Sequence, residues 1–128
     1  MRERYVTLLQ NYVSAGFPSP AEGASDHRLS LDALVLRHPE ATFFMKMEGS
    51  AMEAFGIFAG DVLVIDRALH PRRGATVVVW HEEGFLVRRL TRRMGGWCLE
   101  SGEGLVPIDD DAGLDVWGVV THVVHALS

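Results

Sequence analysis

One cysteine, Cys98, is all the thiol that the 128 residues contain. An internal disulfide is thereby excluded, as is a cysteine-based zinc cluster; this suits a reducing compartment and makes the cytoplasm the expected location. Basic excess is missing as well: the net charge is −5 and the sequence pI about 5.6. A chain so balanced does not coat a phosphate backbone by itself, and any work on DNA is expected to run through a partner. Lysine is nearly absent, Lys46 being the only one, and its expected role is a surface charge. Long apolar runs are lacking too. Met1-Arg2-Glu3-Arg4-Tyr5 leads into no apolar segment of signal-peptide type, and the run Val62 to Ile65 is far too short for a bilayer. Neither export nor membrane insertion is expected.

What is there is a hydrophobic content of 48%, enough in a chain of this length for one domain with a real core. Over Met1 to Gln10 the apolar residues Tyr5, Leu8 and Leu9 have helical spacing, but so short a helix is marginal alone in water. The stretch Ser14 to Asp26 holds two prolines and two glycines and reads as an extended linker. Residues 1–29 are therefore expected to be a flexible arm and residues 30–128 the compact domain. A short helix is expected over Leu29 to Arg37, capped by Ser30, with Leu31, Leu34 and Val35 on one face and His38-Pro39 ending it.

Beyond Pro39 the pattern turns to short β-like runs: Thr42 to Met47, Val62 to Asp66, Thr76 to His81, Phe85 to Leu90, Trp97 to Glu100 and Val116 to Val124. Six such runs with turn signals between them predict a mainly β core. Glu82-Glu83-Gly84 and Met94-Gly95-Gly96 read as hairpin connections, while Ser50 to Phe58 suits a second short helix.

Three ordered stretches then carry a resemblance. Ala15-Gly16-Phe17-Pro18-Ser19-Pro20-Ala21 resembles the cleavage segment of the UmuD branch of the LexA-like self-cleaving proteins, the S24 serine peptidases. His38-Pro39, Ala41-Thr42-Phe43-Phe44 and the run through Gly56-Ile57 and Gly60-Asp61-Val62-Leu63-Val64-Ile65-Asp66 resemble that family's strand, nucleophile helix and following strand. Leu114 to Val124 is similar to its closing strand. Each piece alone has a plainer reading, as a linker or as a turn entering a strand; the order and spacing carry the resemblance. It implies a LexA/UmuD carboxy-terminal-type β-rich fold with one or two short helices and an extended N-terminal arm.

The resemblance also implies a chemistry. The family cuts its own arm before a glycine, here Ala15-Gly16, with a serine nucleophile and a lysine base kept neutral by an apolar pocket. The family's Gly-x-Ser-Met pattern meets Gly49-Ser50-Ala51-Met52, so Ala51 stands at the nucleophile position, and a methyl group cannot attack a carbonyl. Its Val-Lys-x-Leu pattern meets Val87-Arg88-Arg89-Leu90, so Arg88 stands at the base position. A guanidinium stays protonated in proteins and cannot serve as a general base. Ser50 is expected to be a solvated cap residue, because one step along a helix turns the side chain by roughly 100°. His81, His122 and His125, with Asp61 or Asp115 as orienting acid, raise a Ser-His-Asp site that nothing in their spacing supports.

By resemblance the chain is an accessory subunit of an error-prone translesion polymerase in the SOS response. It is expected to be a homodimer, to bind a Y-family polymerase subunit, to meet the activated recombinase filament, and to need no metal or other cofactor. Its altered dyad predicts no self-cleavage. Two changes fit a natural lineage that lost the activity better than one inactivating substitution does. The rivals are an autopeptidase whose native residue 51 is Ser, a regulatory pseudo-protease that keeps its arm, and an unrelated small β-domain binding a ligand. A LexA-type repressor is disfavoured, since the arm is too short for a helix-turn-helix unit.

Overall fold

The computed structural model describes residues 7–11, 30–108 and 115–128. The Ala15-Gly16 pair lies outside them. All six expected runs are strands, and two more join them. In chain order the strands are β1 (Thr7–Asn11), β2 (Thr42–Lys46), β3 (Val62–Asp66), β4 (Thr76–His81), β5 (Gly84–Arg93), β6 (Gly96–Ser101), β7 (Gly104–Pro107) and β8 (Val116–Val124). They form one antiparallel sheet in the order β1-β2-β3-β8-β4-β5-β6-β7. This is the mainly β, LexA/UmuD-type architecture that the sequence predicts.

The closing strand β8 does not lie at an edge. It runs between β3 and β4, pairing Val119 with Asp66 on one side and with Val77 on the other. Consecutive residues of β4 and β5 point to opposite faces, so Val78 and Val87 join one apolar cluster while Val77, Val79, Leu86 and Leu90 join a second. The first cluster also takes Met45, Met47, Met52 and Ile57, which seats the β2–β3 connection on the core. Burial on both faces explains why β4 reads as a continuous β-branched run rather than an alternating one.

Two elements differ from expectation. Thr7–Asn11, where the apolar spacing reads as helical, is a strand on β2, with Thr7 opposite Lys46 and Asn11 opposite Phe43. Backbone pairing to an open edge outweighs a weak local preference. β7 carries no burial pattern because all four residues are exposed, and Pro107 is tolerated because the strand lies at the sheet's edge.

The helix α1 covers Leu31–Val35, shorter than expected, and Ser30 caps it by accepting the Ala33 amide hydrogen at 3.4 Å. Leu36, already extended, is the buried residue there, while Leu31 and Leu34 remain 61% and 53% exposed. The second short helix is a 3-10 turn at Glu53–Phe55.

The β5–β6 hairpin turns on Met94 and Gly95, both at positive φ (54° and 81°), between the paired Arg93 and Gly96. That is a type I′ geometry, which favours Asn-Gly, and Met94 packs on nothing, being fully exposed. Met94→Asn is expected to stabilise the fold by about 0.5–1 kcal/mol, since asparagine tolerates the left-handed region better than methionine. A thermal melt checks it; an unchanged or lower Tm would mean that the turn is not of this type.

Candidate functional site

The β2–β3 connection is closed at its neck by two backbone hydrogen bonds: the Met47 amide donates to the Asp61 carbonyl at 2.8 Å and the Gly60 amide to the Met47 carbonyl at 2.9 Å. Inside the loop, Gly49 (φ 80°) turns the chain, and the Ser50 carbonyl accepts from the Glu53 amide at 3.2 Å. The Met52 carbonyl accepts from both Phe55 and Ile57, at 2.9 and 3.1 Å. Met52 itself has no exposed surface and packs with Met45, Met47 and Ile57. That burial fixes its neighbour: Ala51 sits half-buried on the rim, and Ser50 points into solvent.

Ala51 is braced from a distant part of the chain. Its carbonyl accepts the Gly102 amide hydrogen at 2.7 Å, in the turn between β6 and β7. A Cβ on Gly102 would lie 3.1 Å from that same oxygen, so a glycine suits the close approach. The turn follows directly on the Glu100 end of β6, and Glu100 pairs with Arg89. The Ala51 loop, the β6–β7 turn and Arg89 of β5 are thus consecutive neighbours in space, although they are far apart in sequence.

The two arginines divide between faces. Arg88, opposite Val77, is buried to 7% exposure on the Leu86 and Leu90 face, and its Nη1 donates to the Val87 carbonyl at 2.8 Å. Arg89 is exposed, with its guanidinium carbon 5.4 Å from the centre of the Phe55 ring. A buried guanidinium remains a cation and a donor, so this position supplies charge and hydrogen bonds but no proton acceptor. Ala51 thus offers only a methyl and Arg88 a guanidinium, and it is Arg89, not Arg88, whose side chain lies against the loop. Sequence reasoning did not find Gly102 or the Arg89–Phe55 contact; the one local signal is the pair of glycines in Ser101-Gly102-Glu103-Gly104, which suits a tight turn.

The carboxylate–histidine pairs lie elsewhere. Asp61 is buried at the start of β3 and meets His125 Nδ1 at 2.5 Å, while its other oxygen accepts the Phe58 amide hydrogen at 2.8 Å. The His125 ring packs on Phe58, 5.4 Å between centres. Asp66, buried at the end of β3, meets His38 Nδ1 at 2.6 Å and accepts from the Ala68 amide at 2.8 Å. The structure therefore does join Asp61 to His125, but as a clamp between β3 and the chain leaving β8. His122 contacts Thr121 at 3.0 Å, His81 lies 3.7 Å from Glu82, and the Asp115 carbonyl accepts from the Trp80 amide. Lys46 is exposed. Among the described residues no three histidine, cysteine or acidic side chains gather as a metal site, and no helix is long and apolar enough to cross a membrane.

Known proteins bear on this geometry. Residues 7–120 match the family described as Peptidase S24-like. The chain is similar to protein MucA of Escherichia coli, at 42% identity over 86% of this chain and 77% of that protein. It is similar to protein ImpA of Shigella flexneri, at 34% identity over 92% and 82% of the two chains. It is also similar to the LexA repressor of Aeromonas hydrophila, at 33% identity over 77% of this chain but 48% of the repressor.

Proposed function

Because the chain belongs to the Peptidase S24-like family, in its UmuD-like branch, we propose that it is an SOS-response accessory subunit that acts by binding a polymerase rather than by cutting itself. What supports this reading is a β-rich family domain in which Ala51, which the resemblance aligns with the nucleophile, carries only a methyl, and Arg88, which it aligns with the base, is a buried guanidinium. A domain that keeps the scaffold while losing both catalytic groups retains its surfaces, and binding is what surfaces do.

In this role the chain forms a homodimer in the cytoplasm and engages a Y-family polymerase subunit of an error-prone translesion polymerase. Its arm, with Ala15-Gly16, stays attached when it meets the activated recombinase filament. Co-expression with a Y-family polymerase subunit is the direct test. A stable complex by size-exclusion chromatography with light scattering is the expected result. A folded chain that elutes separately from every such subunit offered would remove the polymerase from the reading.

A further inference from the structure

A concave surface is lined by none of the residues of the Ala51 loop. It is a groove of about 450 Å³ whose rim carries Arg37, His70 and Arg72 and whose floor is formed by Leu69, Ala75 and Val119. That volume lies within the range of small-molecule and nucleotide sites. Among the described residues, none that lines it is acidic. Among the described residues, none of these three basic side chains takes part in an ion pair or hydrogen bond, and the same holds for the adjacent Arg73. Positive groups that line one hollow repel each other until an anion enters, and the nearby buried Asp66 carboxylate is already engaged by His38 and the Ala68 amide; in a chain of net charge −5 such a cluster is a local exception.

The rim is also held in place. The buried Asp66 carboxylate reaches both walls: one oxygen meets His38, next to Arg37, and the other accepts the Ala68 amide hydrogen at the start of the turn leading to His70. The third wall is fixed by the Gly74 amide donating to the Leu90 carbonyl at 2.7 Å and the Ala75 amide donating to the Arg72 carbonyl at 2.9 Å. The guanidinium-bearing segments are therefore set by backbone and buried contacts, with the side-chain ends left exposed to a ligand.

We propose that this groove binds a phosphate group, carried by a nucleic-acid backbone or free in solution. Guanidinium groups take phosphate oxygens in paired hydrogen bonds, and a hollow of this size lined by two arginines suits a phosphodiester or a nucleotide. Such contacts carry no base sequence information. With so few cations in an acidic protein the binding is weak and strongly salt-dependent, a tether that matters when another subunit already holds the strand. The inference is independent of the dyad reading.

The full chain is titrated at low salt with inorganic phosphate and, separately, with a base-free phosphodiester oligomer, following backbone amide NMR shifts and the anisotropy of a labelled oligomer. Shifts are expected at His70, Arg72 and Ala75. Arg37→Ala and Arg72→Ala are each expected to weaken oligomer binding about tenfold and to lower the salt slope by roughly one contact. Arg93→Ala, at the β5–β6 turn, removes the same charge and is expected to leave binding within about twofold. Response to both probes assigns the site to a phosphate group from either source; response to the oligomer alone assigns it to the backbone. Equal weakening by Arg93→Ala, or no shift in the groove with either probe, would overturn the proposal. Thermal melts of the variants separate lost binding from lost folding.

Discussion

Changing Ala51 to serine and Arg88 to lysine together is expected to make the chain cut itself, releasing a fragment that ends at Ala15, while the parent and both single variants stay intact by mass. Neither single change suffices, for separate reasons. Ala51→Ser supplies a hydroxyl, but the residue that the resemblance aligns with the base is still a guanidinium, which cannot accept its proton. Arg88→Lys supplies a base with nothing to activate. A general base contributes typically ~10²–10⁴-fold, so the double variant should stand well above either single. Arg88 is 7% exposed, and an amine placed in that environment is driven toward its neutral form by desolvation.

Sign fixes the pH at which to look. A lysine base works when deprotonated, so cleavage rises with pH, and incubation at about pH 10, near the ordinary lysine value, gives the largest yield. If the double variant cleaves, the parent is an inactive relative of a working autopeptidase and its loss is confined to two side chains. If all three variants remain whole, either the register at Gly49-Ser50-Ala51-Met52 or the scissile segment is wrong, and the chain falls back to a β-rich binding domain. Cleavage by Ala51→Ser alone would mean that another group takes the proton, and the role assigned to Arg88 would fail.

What could be read from the sequence divides by range. The strands Val62–Asp66 and Thr76–His81 announce themselves because their apolar and β-branched runs are buried on both faces, and Ser30 is legible as a cap because capping is a local hydrogen bond. β7 was not legible: Gly104–Pro107 is exposed and bounded by glycine and proline, and only its partner β6 makes it a strand. β1 was not legible for a related reason: Leu8 and Leu9 have a helical spacing too short to hold a helix, and only the edge of β2 makes the segment a strand. The site shows the same split. Ala51 and Arg88 were found by resemblance to a motif, which is a short-range pattern. The Gly102 amide on the Ala51 carbonyl depends on how far β6 runs before it turns, and Arg89 over Phe55 depends on which face of β5 looks at the loop. Neither is encoded within one window of sequence. The groove was invisible for the same reason: Arg37 and Arg72 line one hollow although they are far apart in sequence, and the Asp66 contacts to His38 and Ala68 that hold two of its walls are long-range or set by the fold.

Gly118→Ala is expected to cost about 1–3 kcal/mol, the range for overfilling a packed interior, although it adds a single methyl group. Gly118 sits in β8 opposite Val78, in the interior of the sheet. Its backbone is not in the left-handed region, so conformational freedom is not why glycine stands there. Space is the reason. A Cβ at this position would lie 2.5 Å from Ile65 Cγ2 and 3.3 Å from Arg67 Cγ. Ile65 has no exposed surface and cannot step aside without leaving the first apolar cluster, while the Arg67 stem crosses Gly118 so that its Nε can donate to the Trp117 carbonyl at 2.7 Å and its guanidinium can lie 4.4 Å from that ring's centre. A thermal melt should fall by roughly 5–15 °C for a domain of this size. The cause is separable by a double-mutant cycle. Ile65→Ala alone is expected to cost about 2–5 kcal/mol through the cavity it leaves. In that background the clashing Cγ2 is gone, so adding Gly118→Ala should cost little more, a coupling of about 1–2 kcal/mol. Simple additivity would refute the steric account and would place the cost in the β3–β8 ladder itself. Because β8 pairs with both β3 and β4, the same strain would loosen the ladder that, among the described residues, joins the β2–β3 side of the sheet to the β4–β5 side.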